Sequence, residues 1–153
     1  VLNEIQTDEE ELQIMIDREV FLIYLEQADY ATAANLGSIL IEKMFNSLGV
    51  DDLVLAEICY NVAISNRELG SQLYNQILET INSGTEDKDV IAQAIENASA
   101  ASDYFKIAKE RFYDASSFNP DDTSSVSYAK ETNSYIKQIK KLFLPSLKES
   151  LNK

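Results

Sequence analysis

Apolar and small residues recur along much of this chain at alternating steps of three and four, and the pattern is clearest at Ile91, Ala94, Ala98, Ala101, Phe105, Ala108, Phe112 and Ala115. Spacings of 3, 4, 3, 4, 3, 4 and 3 make an unbroken heptad seam. No Gly, Pro or turn pair falls between residues 92 and 117, so the spacing predicts one helix through Ser102 and not two short helices meeting there. From Ala101 onward the seam alternates small and large residues, as closely packed helices prefer. A second stripe runs through Leu55, Ile58, Val62, Leu69, Leu73 and Ile77, with Ser65 or Asn66 filling its polar gap. A further one joins Val126, Ala129, Ile136, Ile139, Phe143 and Leu147, where Pro145 is expected to bend the last turns. β-Branched residues are scattered and do not alternate, which argues against strands.

Breakers cluster at "SLGVDD" (47–52), "SGTEDKD" (83–89) and "FNPDDTS" (118–124), each mixing Gly or Pro with residues that cap helices. Upstream, "TDEE" (7–10) reads as a capping box with Thr7 as N-cap and Glu10 at the third helical position. The predicted fold class is therefore all-α: a single domain over 1–153 with helices at about 8–47, 52–82, 88–117 and 123–151. Helices of roughly 45 Å joined by short loops are antiparallel to their neighbours, which predicts an up-down-up-down four-helix bundle. Gly37 and Gly70 fall inside predicted helices. If Gly70 is helical, alanine there should stabilise the chain or leave it unchanged, provided the methyl fits.

A second architecture is carried by a resemblance. Ala108, Phe112, Ala115 and Pro120 resemble the second half of a tetratricopeptide repeat, and "EQADYATAANL" (26–36) and "YNVAISNRELG" (60–70) carry weaker echoes of it. The resemblance implies a stack of short helical hairpins serving as a protein–protein interaction scaffold. No 34-residue self-similarity accompanies it.

Composition narrows the chemistry. The 153 residues contain no histidine and one cysteine, Cys59, within "AEICYNV". Without histidine there are no His-based triads, histidine-held haem or Glu-x-x-His di-iron sites. A zinc site is improbable on one cysteine, and Cys59 at apolar helical spacing reads as a small buried hydrophobe. No Gly-rich phosphate loop occurs. The reading is of a non-enzymatic chain without a cofactor. Four glycines and two prolines leave few turns.

The net charge is −13, distributed as 24 acids against seven bases over residues 1–125 and six lysines against Glu131 and Glu149 over 126–153. An acidic body argues against nucleic acid. The lysines of the last segment suit a helix C-terminus beside acidic faces. No apolar run approaches the roughly 18 residues of a membrane span, so no transmembrane segment is expected. The opening Val1 suits either an extracytoplasmic domain excised from a membrane protein or a cytoplasmic chain; the compartment stays open.

What remains is a binding or sensory domain. In helix length and topology the predicted bundle resembles the extracytoplasmic sensor bundles of chemoreceptors and sensor kinases, which implies the extracytoplasmic part of a membrane receptor. The alternative is the repeat-type scaffold. A protein partner or a small ligand is expected, and a homodimer is left open. No catalytic, cofactor-binding or firm metal site is legible. The nearest approach is a pair of loops carrying Asp51–Asp52 and Asp121–Asp122, which a bundle brings to one end, where oxygen ligands suit a hard cation such as calcium. The simpler expectation is that Asp51 and Asp121 or Asp122 cap the helices that follow.

Overall fold

A computed structural model describes residues 2–47 and 49–153, with side chains placed at residue 4 and from residue 8 onward. The fold is all-α, a bundle of long helices, with no strand among the described residues. The helices are α1 (Leu2–Glu26), α2 (Tyr30–Phe45), α3 (Asp52–Ser83), α4 (Lys88–Phe118) and α5 (Ser124–Gln138). A π-helical turn (Ile139–Phe143) continues α5 directly into α6 (Leu144–Asn152).

The seam of α4 holds residue for residue. Its buried positions are Ile91, Ala94, Ala98, Ala101, Phe105, Ala108, Phe112 and Ala115, and the helix passes through Ser102 without interruption. On α3 both Ser65 and Asn66 are buried within the apolar face. They are tolerated there because each satisfies itself locally, Ser65 Oγ donating to the Asn61 carbonyl and Asn66 Nδ2 to the Val62 carbonyl, both at 2.9 Å.

The first predicted helix, 8–47, is two helices. Residue 7 lies inside α1 and does not begin it, so the capping box is not the start of the first helix; the Thr7 side chain is outside the described residues. The break at 27–29 contains neither Gly nor Pro. Ala28 takes the left-handed conformation (φ 58°), and Asp29 N–H donates to the Tyr24 carbonyl at 3.0 Å, closing the end of α1. Asp29 then caps α2, its carboxylate accepting from Thr32 N–H at 3.2 Å. An alanine in this conformation is strained because its Cβ crowds the carbonyl. Ala28→Gly should therefore raise stability by about 1 kcal/mol in urea denaturation; a loss of stability would show that the turn does not hold this geometry.

Helices pack in chain order. Phe21 of α1 meets α2 at Gly37, where an added Cβ would lie 2.3 Å from Val62 Cγ2 and 2.8 Å from the Phe21 ring, so only glycine lets the three helices approach this closely. α3 and α4 form the long central antiparallel pair. α5, the π turn and α6 cover its other side through two aromatic layers. Tyr60, Phe112 and Tyr128 make one. Tyr74, Phe105, Tyr135 and Phe143 make the other, with Phe105 stacked on Tyr135 at 5.4 Å.

Gly70 sits against the second layer. An added Cβ would come within 2.9 Å of the Phe105 ring, so the methyl does not fit, and the expected gain from alanine is replaced by overpacking. At Pro145, where the sequence predicts a bend, the structure shows a π turn. The proline has no N–H to return to Lys141, and the chain widens just before it, Leu144 N–H reaching five residues back to the Ile139 carbonyl. The wide turn keeps Ile139 and Leu147 buried on one face despite the proline.

Candidate interaction surface

α1 is the helix whose sequence is least explained by the core it serves. Phe21 is fully buried, and Ile14, Leu22, Tyr24 and Leu25 pack around it. Leu12 lies nine residues from Phe21, two and a half turns, and so points the opposite way. Along that outer face run Leu12 (57% exposed), Met15 (63%), Ile16 (47%), Val20 (39%) and Ile23 (51%). Steps of four, four and three from Leu12 through Ile16 and Val20 to Ile23 make one continuous stripe. Ile39 of α2, 45% exposed, lies beside Val20, and the two line the shallow groove between α1 and α2 with Leu36, Leu40, Asp17 and Lys43.

The border of this stripe is acidic. Asp8, Glu9, Glu10, Glu11, Glu19 and Glu26 are all exposed. Arg18, the one base of α1, pairs across to Glu57 of α3 at 2.5 Å. Lys43 of α2 is held by Asp17 at 2.8 Å. The Lys43 hydrogen bond is the main reason the Asp17 carboxyl sits below its usual range; burial opposes it, and a hydrogen bond from Gln13 adds to it.

This surface is hidden in the sequence, although its signal is present in "VFLIYL" (20–25), where Val20 and Ile23 face one way and Phe21 the other. A helix apolar on two opposite faces shows no single stripe, so it reads as a buried run and not as a core face plus a second one.

The two aspartate pairs do come to one end of the bundle, where the Phe45 and Phe118 rings meet at 5.7 Å. Asp51 is the N-cap of α3, accepting from Leu53 N–H at 2.7 Å. Asp122 caps α5 through both oxygens. Its Oδ1 accepts from the Ser124 and Ser125 N–H groups at 3.0 Å, and its Oδ2 accepts from the Ser125 hydroxyl. Asp52 lies in the first turn of α3, and the Asp121 N–H donates to Asn119 Oδ1 at 3.2 Å. Among the described residues, no three acidic, cysteine or histidine side chains are grouped to hold a metal ion.

Burial alone would raise the Asp122 carboxyl, but the Ser125 and Ser124 donors outweigh it and hold it below the usual range. A carboxyl lowered in the folded state gives stability that is present above its unfolded value and lost as pH falls through the lower folded one. Asp122→Ala should therefore cost about 1 kcal/mol near neutral pH, and the deficit should shrink in acid. Melting curves in calcium and in chelator should coincide for both proteins, and a calcium-dependent rise that Asp122→Ala removes would contradict the capping role.

Cys59 is fully buried, and burial pushes its thiol up to about 12, with Asp114 adding to the rise and Arg111 opposing it. It is no thiolate nucleophile at neutral pH. A cleft of about 490 Å³ opens between the α3–α4 loop and α6. Its Lys88 ammonium is occupied, donating to the Ser150 carbonyl at 2.8 Å and tying α4 to α6. No helix of the described residues is long and apolar enough to cross a membrane. No protein family matches this chain, and no curated protein or solved structure matches it either.

Proposed function

We propose that this chain is a non-enzymatic helical domain that binds another protein through the outer face of α1. The observation that carries the reading is that α1 is apolar on two opposite faces while only one of them meets the core. Isolated exposed apolar residues are ordinary, whereas a contiguous stripe of several hundred Å² marks an interaction surface. Nothing inside the fold requires the outer residues, since Phe21 and its neighbours already fill the contact with α2 and α3.

α1 and α3 run in one direction, since Arg18 meets Glu57 and, further along both helices, Phe21 and Val62 close on Gly37; α3 and α5 do the same, since Tyr60 meets Tyr128 and Tyr74 meets Tyr135. The repeat-type scaffold keeps one point in its favour, the helical hairpin that the break at 27–29 creates where the weaker repeat echo falls.

The test compares the natural chain with Ile16→Asn/Ile23→Asn as bait in extract from the source cells. Both positions face solvent, so the double variant should melt within a few degrees of the natural chain. A protein retained by the natural chain and lost on the variant is the expected result. If the same proteins are retained by both, α1 is not the binding face.

A further inference from the structure

With α1 taken as the binding face, a reading on which the inference rests, its border names the chemistry of the partner. The stripe from Leu12 to Ile23 spans three turns, roughly 16 Å, and the exposed charges of α1 beside it are negative: Asp8, Glu9, Glu11, Glu19 and Glu26; the one exposed cation at its edge, Lys43 of α2, is paired with Asp17. Glu19 and Glu26 continue the line of the stripe itself, at helical steps from Leu12, Ile16 and Ile23. The nearest cations are already used, Arg18 by Glu57 and Lys43 by Asp17. We propose that the outer face of α1 docks an amphipathic helix of another protein whose apolar stripe is bordered by lysine or arginine.

Charge decides among the occupants. A second copy of α1 laid against the first would bring two acidic borders into contact, and like charges across an interface oppose association. The basic segment of a second copy (Lys130, Lys137, Lys140 and Lys141) offers the right sign but too little apolar surface, because Leu142, 61% exposed, is its one large outward apolar residue. An anionic lipid surface meets the same repulsion as a second α1. A basic amphipathic helix satisfies both requirements. Its anchors at i, i+4 and i+11 would lie along Leu12, Ile16 and Ile23, with Val20 and Ile39 as the side wall, and its basic flanks would reach Glu9, Glu19 and Glu26.

The probe is a fluorescein-labelled helical peptide of leucine–lysine heptads, with its leucine–glutamate counterpart as control, titrated with the full chain and read by anisotropy. The leucine–lysine peptide should bind and weaken by about tenfold or more in high salt, because exposed charge pairs are screened. Ile16→Asn/Ile23→Asn should weaken it by about tenfold or more as well, through the lost apolar anchors, and Leu142→Asn should leave it unchanged. Equal binding of the leucine–glutamate peptide would overturn the basic partner while leaving α1 as a helix-binding face. Undiminished binding to Ile16→Asn/Ile23→Asn would reduce the effect to general attraction for an acidic protein and overturn the proposal. Self-association in sedimentation that this double variant abolishes would make a second copy the occupant. Absence of binding by either peptide and of self-association would overturn both this proposal and the binding face.

Discussion

Phe105→Ala should lower stability in urea denaturation by about 3–5 kcal/mol, the range for emptying a buried aromatic site. Phe105 is 1% exposed and stands where three helices meet. Its ring stacks on Tyr135 of α5, meets Tyr74 of α3 edge-on with centroids 6.3 Å apart, and fills the space left by the missing side chain of Gly70. Alanine would remove the ring without letting the helices close, because Ala98, Ala101 and Ala108 on the same seam already set the closest approach of α4. A paired change isolates the contact. Gly70→Ala alone should cost about 1–3 kcal/mol by overpacking against the ring. In a Phe105→Leu background the same substitution should cost much less, since the clash is gone and helix propensity returns up to about 1 kcal/mol. If Gly70→Ala stabilises the natural chain, the ring is not where the packing places it.

The long helices were legible in the sequence because each carries one dominant apolar face, and α4 is the clearest case. Its eight seam positions are its eight buried ones, since a helix packed on both sides by close neighbours needs small residues at a strict period. The end of α3 and the start of α4 were equally readable, since Gly84 takes the left-handed region at φ 61° and Asp87 caps α4. The break inside the first segment was not. It is made by Ala28 in a conformation that alanine rarely adopts and by Asp29 acting as a cap with no Gly or Pro beside it. A search for Gly and Pro could not see it, although the Asp29–Thr32 spacing was there to be read.

The same segment hid the interaction surface. Merging α1 and α2 into one helix blurs the periodicity of each, so that Phe21 and Ile23 appear as parts of a single apolar run. Once the chain turns at 27–29, α1 becomes an edge helix with a partner on one side only, and Leu12, Met15, Ile16 and Ile23 are left outside. The aspartate pairs show the opposite case. Sequence placed them at helix starts, and Asp51 and Asp122 do cap α3 and α5; their chemistry is local and therefore visible at short range.

Ser102→Pro should cost about 3 kcal/mol or more, because the substitution removes a helical hydrogen bond and drives the ring toward the carbonyl four residues back. That carbonyl belongs to Ala98, whose side chain is fully buried, with Ala101 fully buried beside it. The chain shows elsewhere what accommodating a proline requires. At Pro145 the backbone opens into a π turn over Ile139–Phe143, and it does so where Lys140, Lys141 and Leu142 face solvent and leave room to widen. Near Ser102 a widening of that kind would shift Ala98, Ala101 and Phe105, all buried, out of register with the helices they pack against. Ser102→Ala serves as the control and should be neutral or slightly stabilising, given alanine's better helix propensity. If the proline variant melts with the natural chain, α4 does not run unbroken through Ser102, and the long seam that organises this fold would have to be two shorter ones.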